Sequence, residues 1–261
     1  MRENTIRSIW RAGRCALNGW LHIPSGLAAE VMAHQGWDSL TIDMQHGAIG
    51  YGDALGLLQA ISTTQTIPFA RVPWNEPGII MKMLDAGCYG VICPMVNSPA
   101  ECAAFVGACR YPPSGYRSYG PLRAALYAGA DYPARANETV VAMAMVETVE
   151  ALAQIDAIVA TPGLDAIYIG PSDLGQSLGY GPQADPTEPA VLAAIDTILA
   201  AAQRAGVAAG IHTATPEYAQ AMAAKGMQFV TIGSDARLMA AAAQRAVKAF
   251  HADAAGIDLA Y

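Results

Sequence analysis

The chain has 261 residues, of which 53% are apolar and 14% charged, and it carries a formal net charge of −7. That length suits one large α/β barrel or two smaller domains, with enough apolar content to bury a core without staples. A basic stripe is missing, which argues against nucleic acid as the main partner, and no apolar run approaches the ~20 residues of a membrane span.

Short β-branched runs alternate with Ala/Leu-rich helical patterns along the chain. The first strand is expected at Ala16–His22, followed by a helix over Ser25–Gln35. Strand Ser39–Asp43 leads to helix Gly52–Ser62, and Ile67–Val72 leads to Pro77–Ala86. Gly90–Val96 precedes Pro99–Arg110. The stretch Tyr111–Asn137 is rich in Pro and Gly and reads as a long loop, of the kind that is functional or partly helical. Val140–Glu147 then precedes helix Thr148–Ala160. Ala166–Gly170 runs into the turn Gly170-Pro171-Ser172-Asp173, a possible short helix and the loop 176–188. Helix Pro189–Ala205, strand Val207–His212, helix Pro216–Ala224, strand Phe229–Gly233 and helix Ala236–Ala254 complete the pattern. Pro77, Pro99, Pro189 and Pro216 suit first helical turns, and Gly36, Gly87 and Gly206 suit helix ends.

Eight strand–helix units fit a (β/α)8 TIM barrel spanning residues 1–261 as a single domain. A doubly wound open sheet is the alternative, but H-I-P-S-G after the first strand has no dinucleotide-binding glycine pattern. Five cysteines show no C-x-x-C spacing, and no apolar leader opens the chain, so reduced thiols and a cytoplasmic location are expected.

Barrel enzymes place their chemistry at the C-terminal strand ends. Trp20 and His22 fall there on strand 1. Asp43, Gln45 and His46 close strand 2, Arg71 closes strand 3, and Glu147 closes strand 5. Ser172 and Asp173 follow strand 6, His212 ends strand 7, and Ser234 and Asp235 follow strand 8. Glu147 and Asp173 stand on adjacent strands, where two acids repel unless a cation lies between them. Their hard oxygens suit Mg²⁺ or Mn²⁺, with helix capping as the plainer role. The Gly170–Asp173 turn offers backbone N–H groups to a substrate carboxylate. Arg71 suits an oxyanion or a structural salt bridge. His46 is the acid–base candidate, oriented by Asp43 or by Asp85. Only Lys82, Lys225 and Lys248 are present, all in helical segments, which disfavours a Schiff-base route.

The motifs I-D-M-Q-H-G (42–47), R-V-P-W-N (71–75), L-D-A-G-C-Y-G-V (84–91), P-M-V-N (94–97), R-Y-P-P-S-G-Y-R (110–117), V-E-T (146–148), I-G-P-S-D-L (169–174) and F-V-T-I-G-S-D (229–235) together resemble the HpcH/HpaI family of metal-dependent 2-oxo-acid aldolases. The resemblance runs in order along nearly the whole chain. It implies a divalent ion (Mg²⁺, Mn²⁺ or Co²⁺) on Glu147 and Asp173, chelated by pyruvate, and no organic cofactor. Arg71 would stabilise the enolate oxygen. His46, supported by Asp85 of a neighbouring subunit, would serve as acid and base. The backbone around Gly170, Pro171, Ser172 and Asp173 would hold the carboxylate. The resemblance also implies a hexamer, a trimer of dimers exchanging the C-terminal helix (residues 236–255). Many members carry Glu at the position of Gln45, Gln at that of Met145 and Leu at that of His212. His212 reads either as a specificity residue near the acceptor aldehyde, with Trp20 on the same side, or as a hydrogen-bonded structural histidine.

The expected activity is reversible aldol cleavage of 4-hydroxy-2-oxo acids, including 3-deoxy-2-oxo sugar acids, to pyruvate or hydroxypyruvate and an aldehyde. Oxaloacetate decarboxylation and CoA-ester cleavage are the alternatives within the superfamily, and a non-catalytic oxo-acid-binding barrel is the third reading.

Overall fold

A computed structural model describes residues 1–251. Its centre is a closed barrel of eight parallel strands in chain order. Helix α1 (Thr5–Arg11) precedes the barrel. The strands are β1 (Ala16–Leu21), β2 (Ser39–Asp43), β3 (Ile67–Arg71), β4 (Gly90–Cys93), β5 (Val141–Val146), β6 (Ala166–Ile169), β7 (Ala208–Thr213) and β8 (Phe229–Ile232). Between them run α2 (Gly26–Ala33), α3 (Tyr51–Ile61), α4 (Pro77–Asp85) and α5 (Pro99–Cys109), then α6 (Leu122–Ala128) and α7 (Tyr132–Thr139). After β5 come α8 (Val149–Ala153) and α9 (Ile155–Val159), after β6 come α10 (Pro171–Ser177) and α11 (Pro189–Ala205), and after β7 comes α12 (Pro216–Lys225). The last helix is α13 (Asp235–Phe250).

Local chemistry accounts for the helix starts. The side chains of Ser25, Glu76, Ser98, Thr148, Thr215 and Ser234 each accept a first-turn backbone N–H. Pro occupies the first turn of α4, α5, α11 and α12, where no N–H is needed.

The alternation of each strand feeds two apolar layers. Residues such as Leu40, Ile42, Val91 and Ile211 pack outward against the helices. Ile67, Phe69, Val141, Met143 and Phe229 fill the barrel itself. Phe69 fits because Gly90 lies beside it, where a Cβ would overlap the ring. Toward the C-terminal strand ends the interior changes character, and Asp43, Arg71 and Glu147 are buried there.

The expected strands end within a few residues of the observed ones, and Ser39–Asp43 and Pro189–Ala205 match fully. The stretch 111–137 is more ordered than a loop. It contains α6 and most of α7, helices that its Pro and Gly content hid. The expected helix Thr148–Ala160 is two short helices, because Gln154 leaves helical geometry with φ −114° and ψ 14°. Of the expected terminal helix, α13 covers the part through Phe250, and residues 252–255 lie outside the described residues.

Candidate active site

The loops after the strands surround a cleft at the C-terminal end of the barrel. Trp20, His46, Arg71, Asp173 and His212 all line it, so five separate strand ends contribute to one space.

Asp43, fully buried at the end of β2, is the hub of one wall. Arg71 grips it with two parallel bonds, Nε to Oδ1 at 2.8 Å and Nη2 to Oδ2 at 2.6 Å. His22 Nε2 lies 2.8 Å from Oδ2. The backbone N–H groups of Gln45 and His46 also donate to Oδ1, at 3.1 and 3.3 Å. Burial alone would raise this carboxyl, but the bonds from His22 and Arg71, with the charge of Arg71, hold it far below the usual carboxylate range. Gly47 is required in the same turn, since a Cβ there would overlap the Asp43 carbonyl oxygen. Asp43 thus shapes the His46 loop through its backbone while fixing the guanidinium of Arg71, which also stacks over Trp20 at 5.0 Å.

His46 is exposed on the rim. Its burial at the cleft edge and the positive charge of Arg71 lower its pKa, against opposing pulls from Asp43 and Asp173. That direction favours the neutral form of the imidazole. Gln45 Oε1 is buried with no hydrogen-bond partner among the described residues.

The acids follow β5 and β6. Glu147 follows β5 and is 2% exposed, and Asp173 sits in the first turn of α10, after β6. The register pairs Val146 with Ile169, so Glu147 stands next to Gly170. A Cβ on Gly170 would overlap Glu147 Oε2, so glycine at this position leaves the carboxylate its place. Glu147 Oε1 accepts the N–H of Met95 at 2.8 Å. Met95 adopts φ 54°, a left-handed conformation unusual for its type, and that turn aims its N–H at the carboxylate. Burial raises the Glu147 carboxyl to about 7, and the neighbouring Asp173 adds to the rise against the Met95 bond and Arg71.

A buried carboxylate with an elevated pKa beside a second carboxylate fits a divalent cation, which would relieve both burial and repulsion. Among the described residues, no group of three or more His, Cys, Asp or Glu side chains gathers as a ligand cluster. Two carboxylates with the remaining positions left to water and substrate match the needs of Mg²⁺ or Mn²⁺ rather than those of a closed zinc site.

Asp85 stands elsewhere. It ends α4, whose C-terminus lies at the N-terminal end of the barrel, and its Oδ1 accepts Arg117 Nη2 at 2.7 Å. One chain therefore does not bring Asp85 to His46. His212 does reach the cleft, with its Nδ1 3.2 Å from the Tyr168 hydroxyl and its ring edge-on to Trp20 at 5.1 Å. Burial, then the charge of Arg71, lowers its pKa to about 3. Tyr168, Met95 and Arg237 are cleft or site residues that the reading by strand ends passed over. Tyr168 had a signal in the inward alternation of Ala166, Tyr168 and Gly170, whereas Met95 contributes only backbone and had none.

The fold and this cleft define a barrel enzyme with two neighbouring acids and a fixed guanidinium at its strand ends. The pattern of the HpcH/HpaI aldolase/citrate lyase family matches residues 19–242. A hydroxypyruvate/pyruvate aldolase of Rhizorhabdus wittichii is 43% identical over 244 residues, 94% of this chain and 97% of that protein. A 4-hydroxy-2-oxo-heptane-1,7-dioate aldolase of Shigella sonnei is 34% identical over 258 residues, 98% of each chain. The crystal structure of an HpcH/HpaI aldolase/citrate lyase family protein from Burkholderia cenocepacia superposes with a TM-score of 0.88 at 31% identity, covering 95% of this chain and 99% of that one. The chain belongs to the HpcH/HpaI aldolase/citrate lyase family, and it is an enzyme of the aldolase type.

Proposed function

We propose that the protein is a divalent-metal-dependent aldolase that cleaves 4-hydroxy-2-oxo acids, including 3-deoxy-2-oxo sugar acids, to pyruvate or hydroxypyruvate and an aldehyde. The observation carrying this reading is the buried Glu147, which feels the charges of both Asp173 and the Asp43-fixed Arg71, beside a cleft that Asp173 and Arg71 line. The relatives named above, a hydroxypyruvate/pyruvate aldolase and a 4-hydroxy-2-oxo-heptane-1,7-dioate aldolase, support it.

Glu147 and Asp173 would hold the ion, as Mg²⁺, Mn²⁺ or Co²⁺. When bound, it supplies the positive charge that polarises the 2-oxo group and eases removal of the neighbouring proton. Arg71, fixed on Asp43, stabilises negative charge developing on the 2-oxo oxygen without having to reorganise. The Gly170–Asp173 turn receives the substrate carboxylate. Neutral His46 accepts a proton from the 4-hydroxyl during cleavage and returns it during synthesis.

Within the same reading, Asp85 acts on His46 of a neighbouring subunit in a cytoplasmic hexamer built as a trimer of dimers. The chain forms one domain (residues 1–261) whose terminal helix is exchanged between subunits. The exposure of Leu238, Met239, Val247 and Phe250 along α13 supports this. The test is exchange of pyruvate methyl protons into deuterated water across a Mg²⁺, Mn²⁺ and Co²⁺ panel, followed by an aldehyde screen. Metal-dependent exchange is expected. Undiminished aldol cleavage by a metal-depleted sample would overturn the reading.

A further inference from the structure

A chain of polar side chains runs through the barrel interior and ends at the cleft. Asn18 on β1 begins it, its Oδ1 accepting the hydroxyls of Ser39 at 2.8 Å and Thr41 at 3.0 Å. Asn18 Nδ2 donates to Thr231 Oγ1 at 2.9 Å. The Tyr168 hydroxyl lies 2.7 Å from the same Thr231 oxygen and 3.2 Å from His212 Nδ1. All but His212 are fully buried, among neighbours that are otherwise apolar. Burying so many polar groups costs free energy even when each is paired, and an apolar filling would pack the barrel as well.

The chain has a directional result. Tyr168 occupies Nδ1 of His212, and Gly210 makes room for the Tyr168 ring, since a Cβ there would press on its Cδ2 at 3.0 Å. Trp20 stacks on Tyr168 at 5.8 Å and meets the His212 ring edge-on, so the imidazole is held on two sides. Nε2 is then the one ring nitrogen left to meet a ligand in the cleft that His212 lines. Burial and the charge of Arg71 keep the ring neutral.

We infer that His212 is a specificity-determining residue whose Nε2 hydrogen-bonds a hydroxyl group of the acceptor aldehyde, with Tyr168 as its positioning residue. The favoured acceptors are hydroxyaldehydes. A hydroxyl both donates and accepts, so it pairs with either tautomer of a neutral imidazole. An alkyl chain in the same place leaves Nε2 unpaired in a partly desolvated pocket, and a site built to pair with a hydroxyl discriminates strongly for that reason. This inference rests on the aldolase reading and adds the chemistry of the second substrate.

The test compares glycolaldehyde with propanal, which differ by a hydroxyl in place of a methyl, as acceptors for pyruvate in the presence of Mn²⁺. The full-length protein and its His212→Leu and Tyr168→Phe variants are measured, with circular dichroism confirming the fold of each. The unaltered protein is expected to prefer glycolaldehyde in kcat/KM. In His212→Leu that ratio should fall about 10- to 100-fold, mainly through the KM for glycolaldehyde. Tyr168→Phe keeps the ring stacked on Trp20 and should lower the ratio less, and it carries the comparison if the Leu variant does not fold. A purely structural histidine would lower both aldehydes alike, so an unchanged ratio in the folded variants overturns the inference and leaves the aldolase reading intact. Addition of pyruvate to neither aldehyde by the unaltered protein overturns both.

Discussion

Asp43 and Glu147 are both buried carboxylates, yet their surroundings drive them in opposite directions. Asp43 meets Arg71 and His22 and stays ionised, whereas Glu147 meets one backbone N–H and a second acid and is raised to about 7 from the ordinary 4.5. Because the folded-state value lies above the unfolded one, the stability contributed by Glu147 is fully present below about pH 4.5. It is lost as pH rises through about 7. In divalent-free buffer Glu147 should therefore lower the unfolding free energy between about pH 5 and about 8, by on the order of 3 kcal/mol, against the opposite slope that His212, its pKa lowered to about 3, contributes up to about pH 6.5. Glu147→Gln should flatten that fall, abolish stabilisation by Mn²⁺ and remove activity. Arg71→Ala should lower kcat by about 100- to 1000-fold, as loss of an oxyanion donor does. It should also destabilise the protein by about 3 kcal/mol, since it leaves Asp43 buried without its main partner. Steady-state kinetics and denaturant unfolding check the two effects separately.

Elements matter here through the positions they impose on residues. The pairing of β5 with β6 sets Gly170 against Glu147, and the left-handed turn at Met95 after β4 supplies the N–H that orients the same carboxylate. Gly170→Ala should displace Glu147 and weaken Mn²⁺ binding by about 10- to 100-fold, as disturbed support of a ligand does, measured by isothermal titration calorimetry. Helix α13 keeps only Asp235 buried, at its start, where the Asp235 carboxylate accepts the N–H groups of His22 and Ile23 at 2.8 and 3.2 Å. Beyond that anchor its apolar residues face outward, with Phe250 82% exposed. A double Val247→Asp, Phe250→Asp variant should lower the sedimentation coefficient from that of an assembly toward that of a single chain. An unchanged sedimentation coefficient would overturn the proposed exchange of this helix between subunits.

At the scale of the whole molecule, barrel closure makes one chamber from residues far apart in the chain. Treatment with a chelator should abolish cleavage of a 4-hydroxy-2-oxo acid, and Mn²⁺ should restore it, as followed by pyruvate release. Oxaloacetate turnover under the same conditions separates the aldolase from a decarboxylase, and the 4-hydroxy-2-oxo acid is expected to have the higher kcat/KM. No helix among the described residues is long and apolar enough to cross a membrane.

Much of this was legible from residue order alone, because strand and helix periods, proline starts and N-caps are local properties. The eight-unit barrel and the strand-end positions of Arg71, Glu147, Asp173 and His212 all follow from them. The helices hidden in 111–137 did not, because their packing against the barrel overrides a local composition that favours loops. Pairing across the closed sheet was equally invisible. His22 and Asp43 meet because β1 lies beside β2, Thr231 and Asn18 meet because β8 closes onto β1, and Tyr168 reaches Thr231 from β6, two strands away. Only the tertiary structure separated the two aspartates offered to His46, putting Asp43 beneath its loop and Asp85 at the far end of the barrel. The reason is physical. Periodicity encodes which way a side chain faces, but the partner it meets and the charge it then carries depend on the field of groups that closure brings around it.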